Sequence, residues 1–516
     1  MTKRSDCIII GGGHNGLVCA AYLAKAGKKV TLVEAADQVG GVAATREFAP
    51  GYRASVAHLL YLLDEDIGKE LALESHGLKM AKTSLKTIAL AENGNHLSIS
   101  SDAVDSANLS SEDKAAYREY RRFMSKFAGI FSGLHNKIPP RITRERSDMI
   151  ALGKIALNVR MLGRDDMREL LRIGAINIYD VLKENFDDPL LRGALSLDAV
   201  LGTNSGPRSN NTVFTALHRM SGNNGGAAGD VSIPLGGMGA VTEALAAAAR
   251  KAGTDIRTVS PVSRILIDGD NIKGVQLANG EQIAASVVVS NADPKTTMMR
   301  LLGARHLEAG FTRKFSNIRA SGSTAKMHLA LDGLPGFRGV SPEQLGERLV
   351  IAPNVEYVER AFNHSKYGEF SSHPVAEITI PSIHDNSLAP DGKHVLSAIV
   401  QYAPRNLGNG WSEGKQEFAD TIMNTLAEYA PDIRDKVVAS ELLTPEDIET
   451  EFRMAGGHWH HGELSLDQFL MLRPVPKSAQ YGTPVEGLYL CGAGCHPGGG
   501  VMGSAGRNAA SVVLAK

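Results

Sequence analysis

The sequence has few of the features that mark disulfide-rich, membrane-spanning or nucleic-acid-binding proteins. Four of its 516 residues are cysteines, and none forms a Cys-x-x-Cys pair or a metal-ligand spacing. Aromatic residues make up 5% of the chain and the net charge is −1, while no apolar run reaches the roughly 18–20 residues of a spanning helix. We therefore expect a reduced, cytoplasmic protein with no dithiol–disulfide chemistry and no nucleic-acid partner.

The chain is long enough for more than one domain, and its hydrophobic fraction of 43% is that of an ordinary globular protein. Lys3 and Arg4 lead directly into a short apolar run and glycines, without a cleavage site. This pattern favours a buried strand over a signal peptide.

Residues 7–35, CIIIGGGHNGLVCAAYLAKAGKKVTLVEA, have the pattern of a dinucleotide-binding unit. A short apolar strand breaks into glycines, a helical pattern follows, and a second apolar strand ends in an acid. The glycines fit G-x-G-x-x-G, which gives a tight turn, close approach to a pyrophosphate and close helix–strand packing. The helix N-terminus supplies free N–H groups for phosphates. The binding residues predicted here are Gly11, Gly13, His14, Asn15 and Gly16.

Glu34 ends the second strand, where a carboxylate can accept hydrogen bonds from ribose hydroxyls and disfavours a 2′-phosphate. We expect Glu34 and the adjacent Ala35 to contact the nucleotide. The Gly40–Gly41 pair that follows is typical of flavoproteins, which grip the long FAD along its pyrophosphate. No second G-x-G-x-x-G occurs, so we expect one tightly held dinucleotide and no separate nicotinamide domain.

A third glycine-rich stretch, CGAGCHPGGGVMGSAG at residues 491–506, separates an apolar strand from a helical pattern. The N–H groups and dipole of such a helix can stabilise negative charge on a reduced flavin, provided that few side chains intervene. The cofactor-binding residues predicted in this stretch are Gly492, Ala493, Gly494, Gly500, Val501 and Met502.

Together these stretches resemble the FAD-dependent amine oxidase and phytoene desaturase superfamily. GLYLCGAGCHPGGGVMGSAGRNAA is similar to the C-terminal signature of bacterial-type phytoene desaturases. GGVAATREFAPGYRAS, GGMGAVTEALA and GGHWHHGELSLDQ resemble the branch of pyridine nucleotide-disulphide oxidoreductase domain-containing protein 2. The pattern departs at Val42, where the superfamily often has an arginine, and Arg46 is the candidate to replace it.

The resemblance implies an α/β fold: a Rossmann-type FAD-binding domain of the amine-oxidase kind, with an inserted α+β substrate domain and a helical lid. It implies that residues 1–75, 228–300 and 479–516 form the FAD-binding domain and that residues 76–227 and 301–478 form the substrate domain. It also implies that the backbone of Val262 holds the adenine and that Asn291, after the strand at 287–290, lies near the flavin.

The implied activity is hydride transfer from an apolar, carotenoid-like, isoprenoid or other lipid-like substrate to flavin N5, with oxygen or a quinone as electron acceptor. An amine oxidase is the first alternative, although those enzymes line the flavin with paired aromatics and only Trp459 and Tyr489 stand out here. A flavin-stabilised binding or scaffold protein with little turnover is the second. A homodimer is left open.

Three histidines are candidates to move a proton beside the flavin: His58, His461 and His496. His461 belongs to the run HWHH, for which loop-stabilising histidines are the main alternative. Contiguous histidines point in different directions and lack a carboxylate partner at ligand spacing, so we predict no metal site. Cys495 is a weaker candidate for a covalent flavin link.

Residues 141–173 are basic and amphipathic. Their cations could meet anionic headgroups while Met149, Ile150, Leu157 and Leu162 enter lipid, which predicts a peripheral membrane contact. A solvated helix packed on the substrate domain explains the pattern equally well. The cations concerned are Arg141, Arg144, Arg146, Lys154, Arg160 and Arg164.

Overall fold

The structure is a computed structural model that describes residues 5–143, 145–174 and 176–516. Its strands are β1 (Cys7–Ile10), β2 (Val30–Val33), β3 (Arg46–Ala49), β4 (Tyr52–Ala54), β5 (Met80–Lys82), β6 (Thr87–Ala89), β7 (Leu97–Ile99), β8 (Val104–Asp105), β9 (Ile233–Pro234), β10 (Asp255–Arg257), β11 (Val262–Asp268), β12 (Asn271–Leu277), β13 (Gln282–Ala284), β14 (Val287–Ser290), β15 (Thr324–Leu331), β16 (Arg348–Ile351), β17 (Val375–Thr379), β18 (His394–Gln401), β19 (Val437–Leu443) and β20 (Leu488–Leu490).

Its α-helices are α1 (His14–Lys25), α2 (Glu65–Glu70), α3 (Ser111–His135), α4 (Arg146–Arg160), α5 (Arg164–Ile173), α6 (Ile178–Asn185), α7 (Pro189–Val200), α8 (Thr212–Met220), α9 (Gly239–Lys251), α10 (Ala309–Ser316), α11 (Val355–Lys366), α12 (Trp411–Tyr429), α13 (Ile433–Lys436), α14 (Pro445–Phe452) and α15 (Ser504–Leu514). In the part of the chain described, no helix is both long and apolar enough to cross a membrane.

A five-stranded parallel sheet, in the order β10-β2-β1-β14-β20, forms the nucleotide-binding half of the molecule. β1 lies at its centre, with Cys7 opposite Val30 on one side and Val287 on the other. β1 and β2 are buried along their whole length, as expected for a parallel sheet covered on both faces. The predicted α/β fold class with a Rossmann-type sheet is confirmed.

Helix α1 packs against α9 and α15 beside this sheet. The contact with α15 is close because Gly506 has no side chain: a Cβ there would overlap the carbonyl oxygen of Asn15. A three-stranded antiparallel meander, β11-β12-β13, lies between β10 and β14 in the chain.

The second half is built on an eight-stranded sheet in the order β19-β15-β18-β17-β16-β6-β7-β8. Helices α3, α6, α7, α8 and α11 share one hydrophobic core with residues of this sheet. The chain thus alternates between the two sheets, entering the larger one between β5 and β9 and again between β14 and β20. The domain boundaries given above stay a prediction.

Candidate functional site

The first glycine cluster forms the turn between β1 and α1. Gly11 has φ +93°, a conformation that side chains rarely adopt. A Cβ on Gly16 would overlap the carbonyl oxygen of Gly11, and one on Gly13 would lie 2.7 Å from Asn291 Nδ2. The helix N-terminus has no side-chain cap, since Gly13 is the N-cap, so its N–H groups stay available to a phosphate.

Glu34 is held beside this turn by two backbone N–H groups. Gly12 N donates to its Oε2 at 2.6 Å, and Ala36 N donates to its Oε1 at 2.8 Å. The second glycine pair closes on the same turn, because Gly40 N donates to the carbonyl of Gly12 at 2.9 Å. Of the other residues predicted here, Ala35 is half-buried and Gly41 is exposed.

The segment after β14 joins the two glycine clusters. Asn291 N donates to the carbonyl of Ile10 at 2.8 Å, which places its side chain against the first turn. Gly492 packs on the same residue, since a Cβ there would lie 2.5 Å from the carbonyl oxygen of Asn291. Ser260 N donates to the carbonyl of Glu34 at 2.7 Å, which brings the turn before Val262 to the acid.

The C-terminal loop covers the beginning of α1. Gly494 packs against Pro294 after β14, and Ala493 is buried. The carbonyl of Met502 accepts a hydrogen bond from Asp64 N at 3.1 Å, and Val501 has φ +57°. The structure therefore brings all three glycine-rich segments together.

A dinucleotide fits this arrangement. Buried side-chain atoms at the start of α1 and α15 have no hydrogen-bond partner among the described residues: His14 Nε2, Asn15 Nδ2 and Ser504 Oγ. Such groups are costly unless a ligand or solvent satisfies them. FAD requires N–H donors for its pyrophosphate, an acceptor for its ribose hydroxyls and room for close approach, and the free N–H groups, the acid after β2 and the glycines supply these three.

A cavity lies between the nucleotide loops and the larger sheet, and we call it the central cavity. It is lined by His14, Val42, Val56, Ala57, His58, Leu59, Tyr61, Leu201, Arg219, Glu377, Ile399, Trp459, His460, Gly500 and Val501. Predicted FAD-binding residues and one predicted catalytic histidine therefore face the same space.

The three predicted catalytic histidines have different positions. His58 lines the central cavity, whereas His461 and His496 are not among its lining residues, and the neighbouring His460 is. Burial lowers the pKa of His496 to about 4, although Nε2 donates to the carbonyl of Leu134 at 2.9 Å. Burial also lowers the pKa of His461, against the opposing effect of Asp293.

A network of buried charges, which the sequence did not predict, forms one wall of the cavity. Glu377 Oε2 accepts from Arg219 Nη2 at 2.8 Å and from Arg348 Nε at 2.5 Å. Arg348 also pairs with Asp198 at 2.5 Å. Burial would raise the pKa of Glu377, but Arg219 and Arg348 outweigh it and hold the pKa below its usual value. Glu377 is therefore an ionised carboxylate.

Lys326 adjoins this network. Its Nζ lies 2.5 Å from His58 Nδ1, and the side chain is completely buried. Burial lowers the pKa of Lys326 to about 7, with Glu377 opposing that shift. Burial and the nearby cations hold the pKa of His58 well below its usual value, so its imidazole is neutral. An amine that titrates near neutrality thus contacts a neutral imidazole at the cavity.

Arg473 is a second charged residue that sequence analysis did not single out. It is 1% exposed and donates to six backbone carbonyls. Two of these belong to Ala493 and Cys495 in the glycine-rich loop at residues 491–503, which we call the flavin loop. Two belong to His460 and Gly462 in the loop at residues 458–462, which we call the histidine loop. Arg473 therefore fastens the two loops together.

Arg46 and Cys495 have surroundings that bear on the roles considered for them. Arg46, the candidate to replace an arginine at Val42, pairs with Glu441 at 2.8 Å and lies over the ring of Phe452, so it is engaged away from the nucleotide turn.

All four cysteines are free and buried, and burial raises the pKa of Cys495 to about 12, which leaves it a poor nucleophile. Among the described residues no group of three potential ligands is placed to hold a metal.

The chain belongs to the family of flavin-containing amine oxidoreductases, whose model matches residues 95–514. The NAD(P)-binding Rossmann-like domain matches residues 9–64. Together with the site above, this membership makes the protein an FAD-dependent oxidoreductase.

The chain is 34% identical to pyridine nucleotide-disulfide oxidoreductase domain-containing protein 2 of Rattus norvegicus, over 99% of this chain and 93% of that one. It is 25% identical to one of the subunits of limonene dehydrogenase from Castellaniella defragrans, over 99% and 94%. It is 24% identical to the lycopene-forming phytoene desaturase of Pantoea ananas, over 98% of both chains. A structure of putrescine oxidase with bound putrescine covers both chains completely with a TM-score of 0.65 at 17% identity, and so shares the fold.

Proposed function

We propose that the protein dehydrogenates an apolar, isoprenoid-like substrate in the central cavity. The observation that carries the proposal is the apolar part of the lining of this space, which Val56, Leu59, Leu201 and Ile399 supply. Two relatives support it by name, a limonene dehydrogenase and a phytoene desaturase.

The glycine turns and the N-termini of α1 and α15 would hold FAD, which would supply the acceptor for a substrate hydride. The buried side chains around the cavity exclude water. A dehydrogenation also releases a proton, and His58 is the cavity residue placed to take it at Nε2.

Lys326 controls whether His58 can do so. A protonated lysine only donates, so it requires Nδ1 as acceptor and leaves the imidazole proton on Nε2. A neutral Lys326 can accept from Nδ1–H, which frees the lone pair of Nε2 for the substrate proton. The reaction therefore needs neutral Lys326, and its pKa of about 7 sets the pH at which this form appears.

Oxidation by an amine oxidase mechanism is the second candidate, because the ionised Glu377 in the wall could attract an ammonium group. Of the two aromatic residues considered for lining the flavin, Trp459 lines the cavity, whereas Tyr489 is buried in β20. Tyr61 is a further aromatic residue of the cavity lining.

Anaerobic absorbance of the holoenzyme tests the proposal. The protein is titrated with a lipid extract and, separately, with a polar extract of its host. Bleaching of the flavin band by the lipid extract alone supports dehydrogenation of an apolar substrate. Bleaching by the polar extract alone favours the amine oxidase, and bleaching by neither favours a binding protein with little turnover.

The acceptor in this proposal is oxygen or a quinone. The reduced protein is mixed with each in turn, and the faster return of the oxidised flavin band identifies the acceptor. Reoxidation by neither would contradict this part of the proposal.

The proposal extends to a lipid surface as the source of substrate. Met149, Ile150 and Leu157 on α4 are exposed, as a peripheral membrane contact requires, whereas Leu162 is partly buried against the helical core. Four of the predicted cations are exposed on α4 and α5: Arg146, Lys154, Arg160 and Arg164. Arg141 pairs with Glu145 and Asp148. Arg144 lies outside the described residues.

A further inference from the structure

The lining of the central cavity contains both apolar and polar side chains. The apolar ones are Val56, Leu59, Leu201, Ile399 and Trp459, and the polar ones include His58, Arg219 and Glu377. The two kinds are neighbours, since Glu377 is in register with Ile399. A pure hydrocarbon would leave the polar side chains without a hydrogen-bonding partner, which is costly in a buried site.

Glu377 has one oxygen without a partner. Both arginine hydrogen bonds go to Oε2, and no described residue donates to Oε1. The residue is 1% exposed. A buried, ionised carboxylate with a free oxygen at a cavity calls for a donor from the ligand.

His58 has a free ring nitrogen that faces this oxygen. Nδ1 is occupied by Lys326 Nζ, while Nε2 is buried and has no hydrogen-bond partner among the residues that the structure describes. Nε2 lies 4.0 Å from Glu377 Oε1, too far for a direct hydrogen bond. One small polar atom beside this gap can contact both.

The charges of the wall select the kind of group. Arg219 and Arg348 are balanced by Asp198 and Glu377, and Lys326 adds a positive charge when it is protonated. A carboxylate or phosphate would meet the free oxygen of Glu377, and an ammonium group would meet three cations within the same wall. A neutral hydroxyl avoids both conflicts: it can donate to Oε1, and it can accept from Nε2–H while Lys326 is protonated.

We propose that the substrate is a neutral, apolar molecule that carries a hydroxyl group, and that Glu377 Oε1 and His58 Nε2 form the subsite for this hydroxyl. The inference rests on the proposed function for the apolar part of the substrate. It distinguishes the substrate from both unsubstituted hydrocarbons and charged amines.

Binding of four probes tests the inference: geraniol, geranylamine, geranic acid and the hydrocarbon myrcene, which have similar carbon frameworks. Each is titrated into the oxidised holoenzyme, and the shift of the flavin absorption band reports binding without turnover. We expect geraniol to bind at least tenfold more tightly than the other three. Equal binding of myrcene, tighter binding of the amine or the acid, or no binding of any probe would overturn the inference.

Glu377→Gln is the informative variant, measured on protein that retains its FAD absorbance. The preference for geraniol over myrcene should fall at least fivefold, while myrcene binds as in the unmodified protein. Glu441→Gln is the matched control. Glu441 is on the same sheet as Glu377 and also pairs with an arginine, Arg46, but it does not line the cavity. An unchanged preference in Glu377→Gln would contradict the inference, and if this variant does not fold, the probe series on the unmodified protein decides.

The two proposals can fail separately. Selective binding of geraniol without flavin bleaching by a lipid extract would refute the dehydrogenation and leave the hydroxyl subsite standing. Bleaching by the lipid extract without a preference for geraniol would do the reverse.

Discussion

Lys326, Ile399 and Glu377 lie side by side across β15, β18 and β17, because Ile399 is in register with both charged residues. Residues in register point to the same face of a sheet, so both charges face the side to which Ile399 contributes a cavity wall. In the sequence, Lys326 and Glu377 are single charges within apolar strands. This pattern shows that the charges are unusual, but it does not show which residues they contact.

Replacement of Lys326 by methionine tests its control of His58. In the unmodified protein, flavin reduction by substrate should speed up as pH rises through about 7, because the neutral amine frees His58 Nε2. Lys326→Met should abolish this inflection and speed up reduction below pH 7, because no ammonium group then holds the imidazole proton of His58 on Nε2. Rapid-mixing absorbance over a pH series measures both effects.

The groups that face Lys326 are His58, His328, Glu377, Arg219 and Arg348. His58 and His328 are neutral across this range, since burial holds the pKa of each well below its usual value. Lys393→Met, at an exposed ion pair beside the same sheet, should leave the profile unchanged. An inflection near 7 that persists in Lys326→Met would assign it to another group.

Gly16→Ala should weaken FAD binding at least tenfold, or about 1.4 kcal/mol, because its Cβ would overlap the Gly11 carbonyl at the phosphate turn. The ratio of flavin to protein absorbance after dialysis measures the loss. Gly68→Ala is the control, since nothing lies within 4 Å of the added carbon. Full retention of FAD in Gly16→Ala would exclude this packing.

At the scale of elements, the glycine-rich turns and their flanking strands could be predicted, since chain order and local pattern define them. The predicted strands at 7–10 and 287–290 are confirmed by β1 and β14. The position of Arg473 could not be predicted, because its six carbonyl partners come from loops without a periodic pattern.

Arg473→Met should lower the free energy of unfolding by about 3 kcal/mol, because several buried carbonyls lose their donor. It should also release FAD, as the flavin loop loses its attachment to the histidine loop. Urea unfolding and flavin retention measure the two effects.

Arg319→Met provides the comparison, since Arg319 pairs with Glu463 and Asp467 near the same loop but is half exposed. Its effect should be below about 1 kcal/mol. Similar losses in both variants would refute the special role of the buried guanidinium.

At the scale of the molecule, the resemblance correctly predicted the two-part architecture and the cofactor. It could not predict the charged wall of the cavity, which forms where α7, α8 and strands of the larger sheet meet. These contacts join residues far apart in the chain, and such pairs cannot be predicted from local sequence patterns.

The lipid contact proposed for α4 makes a prediction at the same scale. The protein should float with anionic vesicles, and the double variant Met149→Ser, Leu157→Ser should reduce the bound fraction at least about tenfold, because it removes two apolar side chains from the interface. A double variant of Tyr367 and Val438 to serine, at exposed apolar residues elsewhere, is the control. Absence of flotation at low salt would end the proposal.

The order of strands in the smaller sheet has a consequence for biosynthesis. β1 leaves the ribosome early, but its neighbour β14 and the edge strand β20 are synthesised far later, and the flavin loop follows β20. FAD can therefore be captured only after translation of nearly the whole sequence described, whereas β1, already next to β2, lacks its second neighbour only until β14 is synthesised. The concentration of free FAD then sets how far its binding stabilises the folded chain.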